Sequence, residues 1–229
     1  MSAGPHRSVV VVFAREPVAG NVKTRLAARV GDAAALALYR AFLTDLLAQL
    51  RAGSWALEFA VAGDPQRFAE TFGIDPDGCF RQAEGDLGAR MDKAFHRILA
   101  DEDRDRCLLV GSDMPQLGAS GVALADAALA MGEADVVLGP AHDGGYYLVG
   151  MARPHPIFSE IAWSTDRVLA QTRSRTRHLG LRTTLLPEGF DIDTAEDLER
   201  LARWLEERDD GVLPHTRAVC RELFGPAGA

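Results

Sequence analysis

The segment Ser8–Ala14 reads SVVVVFA, with four consecutive valines and no charged residue. A strand with one wet face alternates apolar and polar residues. A strand that is apolar on both faces must be covered on both. The segment therefore predicts a central strand of a sheet with helices packed on each side. The rest of the chain agrees. A helical pattern runs from Ala33 to Arg51, with Leu36, Tyr39, Leu43, Leu46, Leu47 and Leu50 on one stripe. Further strands are expected at Trp55–Ala62, Cys79–Ala83, Cys107–Val110, Asp135–Leu138, Tyr146–Val149 and Arg182–Leu186. Further helices are expected at Pro65–Phe72, Leu87–Ala100, Ser120–Met131, Thr165–Leu179, Thr194–Glu207 and Arg217–Phe224. Strands alternating with helices imply an α/β domain built on a mostly parallel sheet. No repeat or low-complexity linker divides the 229 residues, so 1–229 reads as one domain. Ligands of such sheets bind at the carboxyl ends of the strands.

Charge narrows the ligand. The net charge is −8, which argues against a nucleic-acid surface. Residues 1–40 nevertheless carry +4 and the remainder −12. A local basic segment on an acidic chain suits a compact anion. No apolar run approaches the ~20 residues of a membrane span, and Met1–Ser8 lacks the features of a signal peptide. Cys79, Cys107 and Cys220 are isolated and odd in number, which fits the reducing cytoplasm.

Five segments could carry chemistry, each following a predicted strand or opening a helix. In Arg15–Leu26 (REPVAGNVKTRL), Gly20 can let the backbone approach a phosphate, with Arg15, Lys23 and Arg25 supplying positive charge, or the segment is an ordinary strand-to-helix turn with solvated cations. The spacing is not that of a P-loop. In Gly111–Pro115 (GSDMP), Asp113 at a strand tip could hold a hard cation beside Ser112, or could simply make a local turn. In Gly139–Tyr147 (GPAHDGGYY), Gly144 and Gly145 fit a tight turn, Asp143 could bind an acceptor or act as a base, and His142 reads as a solvated loop residue. In Ile161–Thr165 (IAWST), Trp163 reads as core or as a stacking wall, and Ser164 or Thr165 as a helix cap. In Phe190–Leu198 (FDIDTAEDL), Asp193 or Thr194 caps a helix whose first turn carries Glu196 and Asp197.

In order and spacing, REPVAGNVKTRL, EGDLGARM, GSDMP, GPAHDGGYYLVG, IAWSTDRVL and FDIDTAEDL together resemble the radical-SAM/selenodomain-associated transferase family. That family is also described as an arsenosugar-pathway glycosyltransferase and belongs to the nucleotide-diphospho-sugar transferase superfamily. The resemblance spans about Ser8 to Leu201. It implies a three-layer α/β/α sandwich with a mostly parallel mixed sheet, the glycosyltransferase A fold. It also implies metal-binding roles for Asp113 and, in preference to Asp191, for Asp193. KTRL resembles a triphosphate-binding basic loop. The chain departs from the pattern at Ala195, where relatives often place proline, and in lacking an Asp-X-Asp pair at the metal strand.

The resulting expectation is a transferase dependent on Mg²⁺ or Mn²⁺. Its first form is nucleotidyl transfer from a nucleoside triphosphate to a small acceptor, phosphorylated or not. Asp113 and Asp193 would share one divalent cation, and Lys23 and Arg25 would neutralise the departing pyrophosphate. The second form is glycosyl transfer from a nucleotide-sugar with Asp143 as base. A third reading is a non-catalytic nucleotide-binding protein. Gly144, Gly145, Tyr146, Trp163 and Ser164 are assigned to the substrate. Neither nucleic acid nor membrane is expected as a partner.

Overall fold

The computed structural model describes residues 7–208 and 211–224. Expectations for the first residues and for the two ends of the 1–229 domain lie outside them. In chain order the elements are β1 (Ser8–Arg15), α1 (Thr24–Val30), α2 (Asp32–Leu50), β2 (Ala56–Ala62), α3 (Pro65–Phe72), β3 (Cys79–Arg81), α4 (Leu87–Ile98), β4 (Arg106–Gly111), α5 (Gly118–Ala130), β5 (Val136–Pro140), β6 (Tyr146–Met151), α6 (Val168–His178), β7 (Thr183–Leu185), α7 (Ala195–Glu206) and α8 (Pro214–Phe224). The strands form one sheet in the order β3-β2-β1-β4-β6-β5-β7. All pairings are parallel except those of β6, which runs antiparallel to both β4 and β5.

β1 behaves as its sequence demands. Val10, Val12 and Ala14 join one buried cluster with Tyr39, Leu43 and Leu46 of α2. Val9 and Val11 join another with Met91, Ala94 and Phe95 of α4. Both faces are thus covered, which makes a three-layer α/β/α sandwich. A third cluster lies outside the sheet, where Leu26, Leu38 and Phe42 meet Ile192 and Leu198. Placed between the sheet and this outer cluster, α2 is apolar nearly all round. Its 19 residues and mean hydropathy of 1.3 would pass for a membrane span, yet its apolar faces are occupied by the protein's own core. Its buried Asp45 accepts hydrogen bonds from the backbone N–H groups of Thr216 (2.7 Å) and His215 (3.2 Å), which caps α8.

Local signals explain the helix ends. Asp64 caps α3 through the N–H of Gln66 (2.9 Å), Pro65 takes the first helical position, and Gly73 ends the helix with φ +59°. Asp86 caps α4 through Ala89 (2.8 Å). Thr194 caps α7 in a reciprocal capping box with Asp197, so the expected cap is Thr194 and the carboxylate of Asp193 is left for other use. The first helix, α1, was not expected as a separate element. Seven residues are too few for a period to show, and α1 is held by packing Leu26 into the outer cluster.

The topology positions a cleft. From β1 the chain moves to β2 and β3 on one side, then returns to place β4 on the other. The carboxyl ends of β1 and β4 therefore flank a switch point, where α/β sheets open a crevice.

Candidate functional site

A cleft of about 580 Å³ opens at that switch point. β1 delivers Arg15, the following loop Asn21 and Lys23, the first turn of α1 Arg25, and the turn after β4 Ser112 and Asp113. Asp193 and Ser164 also line it. Of the residues expected from sequence, Arg15, Lys23, Arg25, Ser112, Asp113, Ser164 and Asp193 thus share one cleft. Gly20 shapes the loop with φ +79° but does not line the wall.

Asp113 and Asp193 meet although 80 positions separate them. The main-chain N–H of Ile192 donates to the carbonyl of Asp113 (2.9 Å), and the side-chain amide of Gln116 donates to the carbonyl of Phe190 (2.5 Å). The FDID segment is thereby docked along the GSDMP turn. Between the carboxylates lies the ammonium of Lys23. Its Nζ is 2.7 Å from Asp113 Oδ1, 3.0 Å from Asp193 Oδ1 and 2.7 Å from the carbonyl of Ile192. The lysine side chain is only 3% exposed, against 41% for Asp113 and 39% for Asp193. Burial alone would depress the ammonium's pKa, but the two carboxylates outweigh it and raise it. The expectation that Lys23 faces the phosphates is therefore not met in this arrangement. Lys23 has left-handed backbone angles (φ 50°, ψ 41°) as the cap of α1, and its side chain is buried beside Phe42.

The exposed positive charge comes from arginines. Arg15 and Arg25 form no ion pair among the described residues, and Arg90 of α4, whose Nε donates to the Gly85 carbonyl (2.9 Å), lines the same cleft. Arg90 was quoted in the EGDLGARM motif without a role. Two more cleft residues escaped sequence reasoning. Tyr39, counted in the apolar stripe of α2, accepts the N–H of Arg15 (2.7 Å) and lies 3.5 Å from Ser112 Oγ. Burial first, and Asp113 second, keep its phenol protonated far above the usual range. The side-chain amide of Gln82 donates to the carbonyls of Ala60 (2.9 Å) and Ala14 (3.2 Å). A tyrosine among leucines was the one available signal; Gln82 offered none.

The acceptor-side expectations fare differently. Asp143 accepts from the N–H of Gly145 (2.8 Å), the local turn that the sequence allowed. Gly144, with φ +87°, packs so closely on the main chain of Asp166 that a Cβ would lie 2.1 Å from its carbonyl oxygen. Tyr146 and Trp163 pack edge to face, 6.5 Å between ring centres, against the second core cluster. None of Asp143, Gly144, Gly145, Tyr146 and Trp163 lines the cleft wall; Gly144, Tyr146 and Trp163 are taken up in packing, while Asp143 stands near Asp191 among the acidic residues at the rim. Trp163 lies flat on Gly88, where a Cβ would approach the indole to 2.6 Å, and borders a neighbouring cavity of about 390 Å³. His142 is exposed and pairs with Glu188 (2.9 Å). Asp191 is pushed up to about 6, by burial first and then by Asp143, Asp193 and Asp113. The carboxyl edge of the sheet thus gathers four aspartates, of which Asp113 and Asp193 share the cleft with Arg15, Arg25 and Arg90.

The donor chemistry at Asp113 and Asp193 suits a hard divalent cation. Both are carboxylates, both are partly exposed to the cleft, and the Oδ2 of each accepts no hydrogen bond among the described residues. No group of three or more His, Cys, Asp or Glu side chains among the described residues is arranged to hold a metal alone. Two protein carboxylates completed by phosphate oxygens and water is the coordination that Mg²⁺ favours.

The sequence matches the family model described as "uncharacterized protein conserved in bacteria (DUF2064)" over residues 45–165. The chain belongs to this family. Comparison with curated proteins gives no match. Among solved structures, a protein from Desulfovibrio desulfuricans G20, named provisionally as a nucleotide-diphospho-sugar transferase, is 33% identical, with TM-score 0.88 and 95% of each chain covered. A cytidylyltransferase from Leptospira borgpetersenii serovar Hardjo-bovis (strain JB197) is 14% identical, with TM-score 0.58, covering 95% of this chain and 94% of that one. A CMP:2-keto-3-deoxy-manno-octonic acid synthetase complexed with CTP is 13% identical, with TM-score 0.53, covering 88% of this chain and 99% of that one. The fold of this family member is that of the nucleotide-diphospho-sugar transferases.

Proposed function

We propose that this protein is a nucleotidyltransferase that uses a nucleoside triphosphate and a small acceptor. The observation that carries the reading is the pairing, across one cleft, of Arg15, Arg25 and Arg90 with the carboxylates of Asp113 and Asp193. A triphosphate carries more negative charge than the nucleoside diphosphate that leaves a nucleotide-sugar, and three guanidinium groups suit the larger charge. The CTP complex and the cytidylyltransferase among the structural neighbours are in keeping with it.

In the proposed reaction an acceptor oxygen attacks the α-phosphorus. The bond from the α-phosphorus to the bridging oxygen breaks, and pyrophosphate leaves with that electron pair. Arg15, Arg25 and Arg90 neutralise the charge that accumulates on it. A hydroxyl acceptor gives its proton to solvent or to a carboxylate of the acidic rim; a phosphate acceptor has none to give. Asp113 and Asp193 would hold a divalent cation, Mg²⁺ or Mn²⁺, which when bound supplies charge neutralisation at the phosphate oxygens. Tyr39 fixes the ends of β1 and β4, so the basic and acidic walls keep their separation.

Glycosyl transfer from a nucleotide-sugar is the second reading. It is favoured by the provisional name of the 33% identical protein from D. desulfuricans and by the resemblance to the radical-SAM/selenodomain-associated transferases. The released product separates the two. Purified protein incubated with nucleotide, Mg²⁺ and candidate acceptors should release pyrophosphate from a triphosphate. Release of nucleoside diphosphate from a nucleotide-sugar, with no pyrophosphate from any triphosphate, would overturn the first reading in favour of the second.

A further inference from the structure

We infer that Lys23 is a positioning residue that acts as an internal counterion, making cation and phosphate bind the cleft as a pair rather than singly. The pairing rests on the proposed nucleotide-binding role of the cleft; the counterion role stands on geometry alone. An ammonium has three N–H donors. Those of Lys23 have three acceptors within hydrogen-bond distance: Asp113 Oδ1, Asp193 Oδ1 and the carbonyl of Ile192. Two donors go to Asp193 Oδ1 and the Ile192 carbonyl, the charge also pairs with Asp113, and the side chain is only 3% exposed, so little of the ammonium is open to a ligand. Lys23 therefore acts on the cleft through the two aspartates.

The charges give the consequence. Two carboxylates brought together repel, and one buried lysine offsets half of their charge. The pair then presents a net charge of −1 to the cleft. A divalent cation added there gives a net +1, with a fixed ammonium within a few ångströms of it. That repulsion holds the affinity for a free divalent cation low. Phosphate oxygens arriving with the cation reverse the balance, because they bring the negative charge that the cluster lacks. The cation is thus admitted with its phosphate ligand, and the aspartates are kept in place while it is absent.

The test is Mn²⁺ binding without nucleotide, measured by calorimetry and by the electron spin resonance of free Mn²⁺. The wild type should bind weakly, with Kd above about 1 mM. Lys23→Gln keeps a hydrogen-bond donor but removes the charge, and should bind Mn²⁺ at least tenfold more tightly. Adding Asp113→Asn should cancel the gain. Lys23→Arg keeps the charge and should stay weak. A purely structural lysine would lower the melting temperature of Lys23→Gln and leave Mn²⁺ affinity unchanged, which would overturn the inference. So would micromolar Mn²⁺ binding by the wild type alone, a result that does not depend on any variant folding. Tighter Mn²⁺ binding by Lys23→Gln with no triphosphate binding by the wild type would keep the counterion and sink the nucleotide reading instead.

Discussion

Lys23 and Arg25 lie two positions apart and meet opposite surroundings. Arg25 is exposed on the cleft, whereas Lys23 is buried between carboxylates 90 and 170 positions away. The sequence showed that both are basic and near a strand end. It could not show which faces the ligand, because that depends on a left-handed backbone turn and on distant partners. Arg25→Ala should therefore weaken triphosphate binding about tenfold, the loss of one charge-assisted contact, with little change in melting temperature. Titration calorimetry with a triphosphate and a thermal melt check the two halves. Trp163 carries a different expectation. Its indole packs on Gly88, Phe158 and Tyr146 instead of lining the cleft. Trp163→Ala should cost roughly 2–4 kcal/mol of stability, toward the lower part of the range for emptying an aromatic site. Urea unfolding measures it; a loss under ~0.5 kcal/mol would return Trp163 to a ligand-facing role.

At the scale of elements, the strands and long helices were legible because each carries its own period. Pro65–Phe72 was expected with the bounds observed, since Asp64, Pro65 and Gly73 mark both ends chemically. The short α1 was not legible, nor was the insertion of β6 between β4 and β5, because strand order is set by contacts that no local window contains; the tight turn that pairs β5 with β6 was legible. The edge strand β7 is only three residues long and needs help to stay paired. Arg182 supplies it, donating from Nη2 to Asp135 Oδ1 (3.0 Å) and from Nε and the main-chain N–H to Oδ2 (3.1 and 2.9 Å). The side-chain hydrogen bonds of Arg182, then its backbone N–H, lower the Asp135 carboxyl to about 2. That lies below the unfolded value of about 3.9, so the clamp contributes fully above pH ~4 and is lost as the pH falls toward 2. Asp135→Asn should cost on the order of 1 kcal/mol near neutral pH, and its deficit against the wild type should shrink as the pH falls below about 4 and vanish only below about 2. Denaturant melts across that range would show a parallel, pH-independent offset if the clamp were not ionic.

At the scale of the whole molecule, the α/β class was legible from order alone, a doubly buried first strand and then helices alternating with strands, and the glycosyltransferase A fold from the family resemblance. The site was legible as segments but not as a geometry. Asp113 and Asp193 were expected to converge, and they do, because the FDID segment docks on the GSDMP turn. Asp143, Gly144, Gly145, Tyr146 and Trp163 were grouped with them as loop segments beside predicted strands and helices, yet Tyr146 and Trp163 pack into the second core cluster and Asp143 reaches only the rim. The proposed function requires this cleft to bind a nucleotide with a divalent cation through Asp113 and Asp193. Its most direct test is a thermal melt of wild type, Asp113→Asn, Asp193→Asn and the double variant, each with nucleoside triphosphates and nucleotide-sugars, with and without Mg²⁺. At ~100 times Kd, a ligand stabilises by about 2.7 kcal/mol, or roughly 5–10 °C for a chain of this size. The wild type should gain that shift with a triphosphate and Mg²⁺ and lose most of it without Mg²⁺. Each single variant should lack the Mg²⁺-dependent part, and the double variant should be little worse. No shift in the wild type with any nucleotide, or an equal Mg²⁺-dependent shift in all four proteins, would contradict the claim.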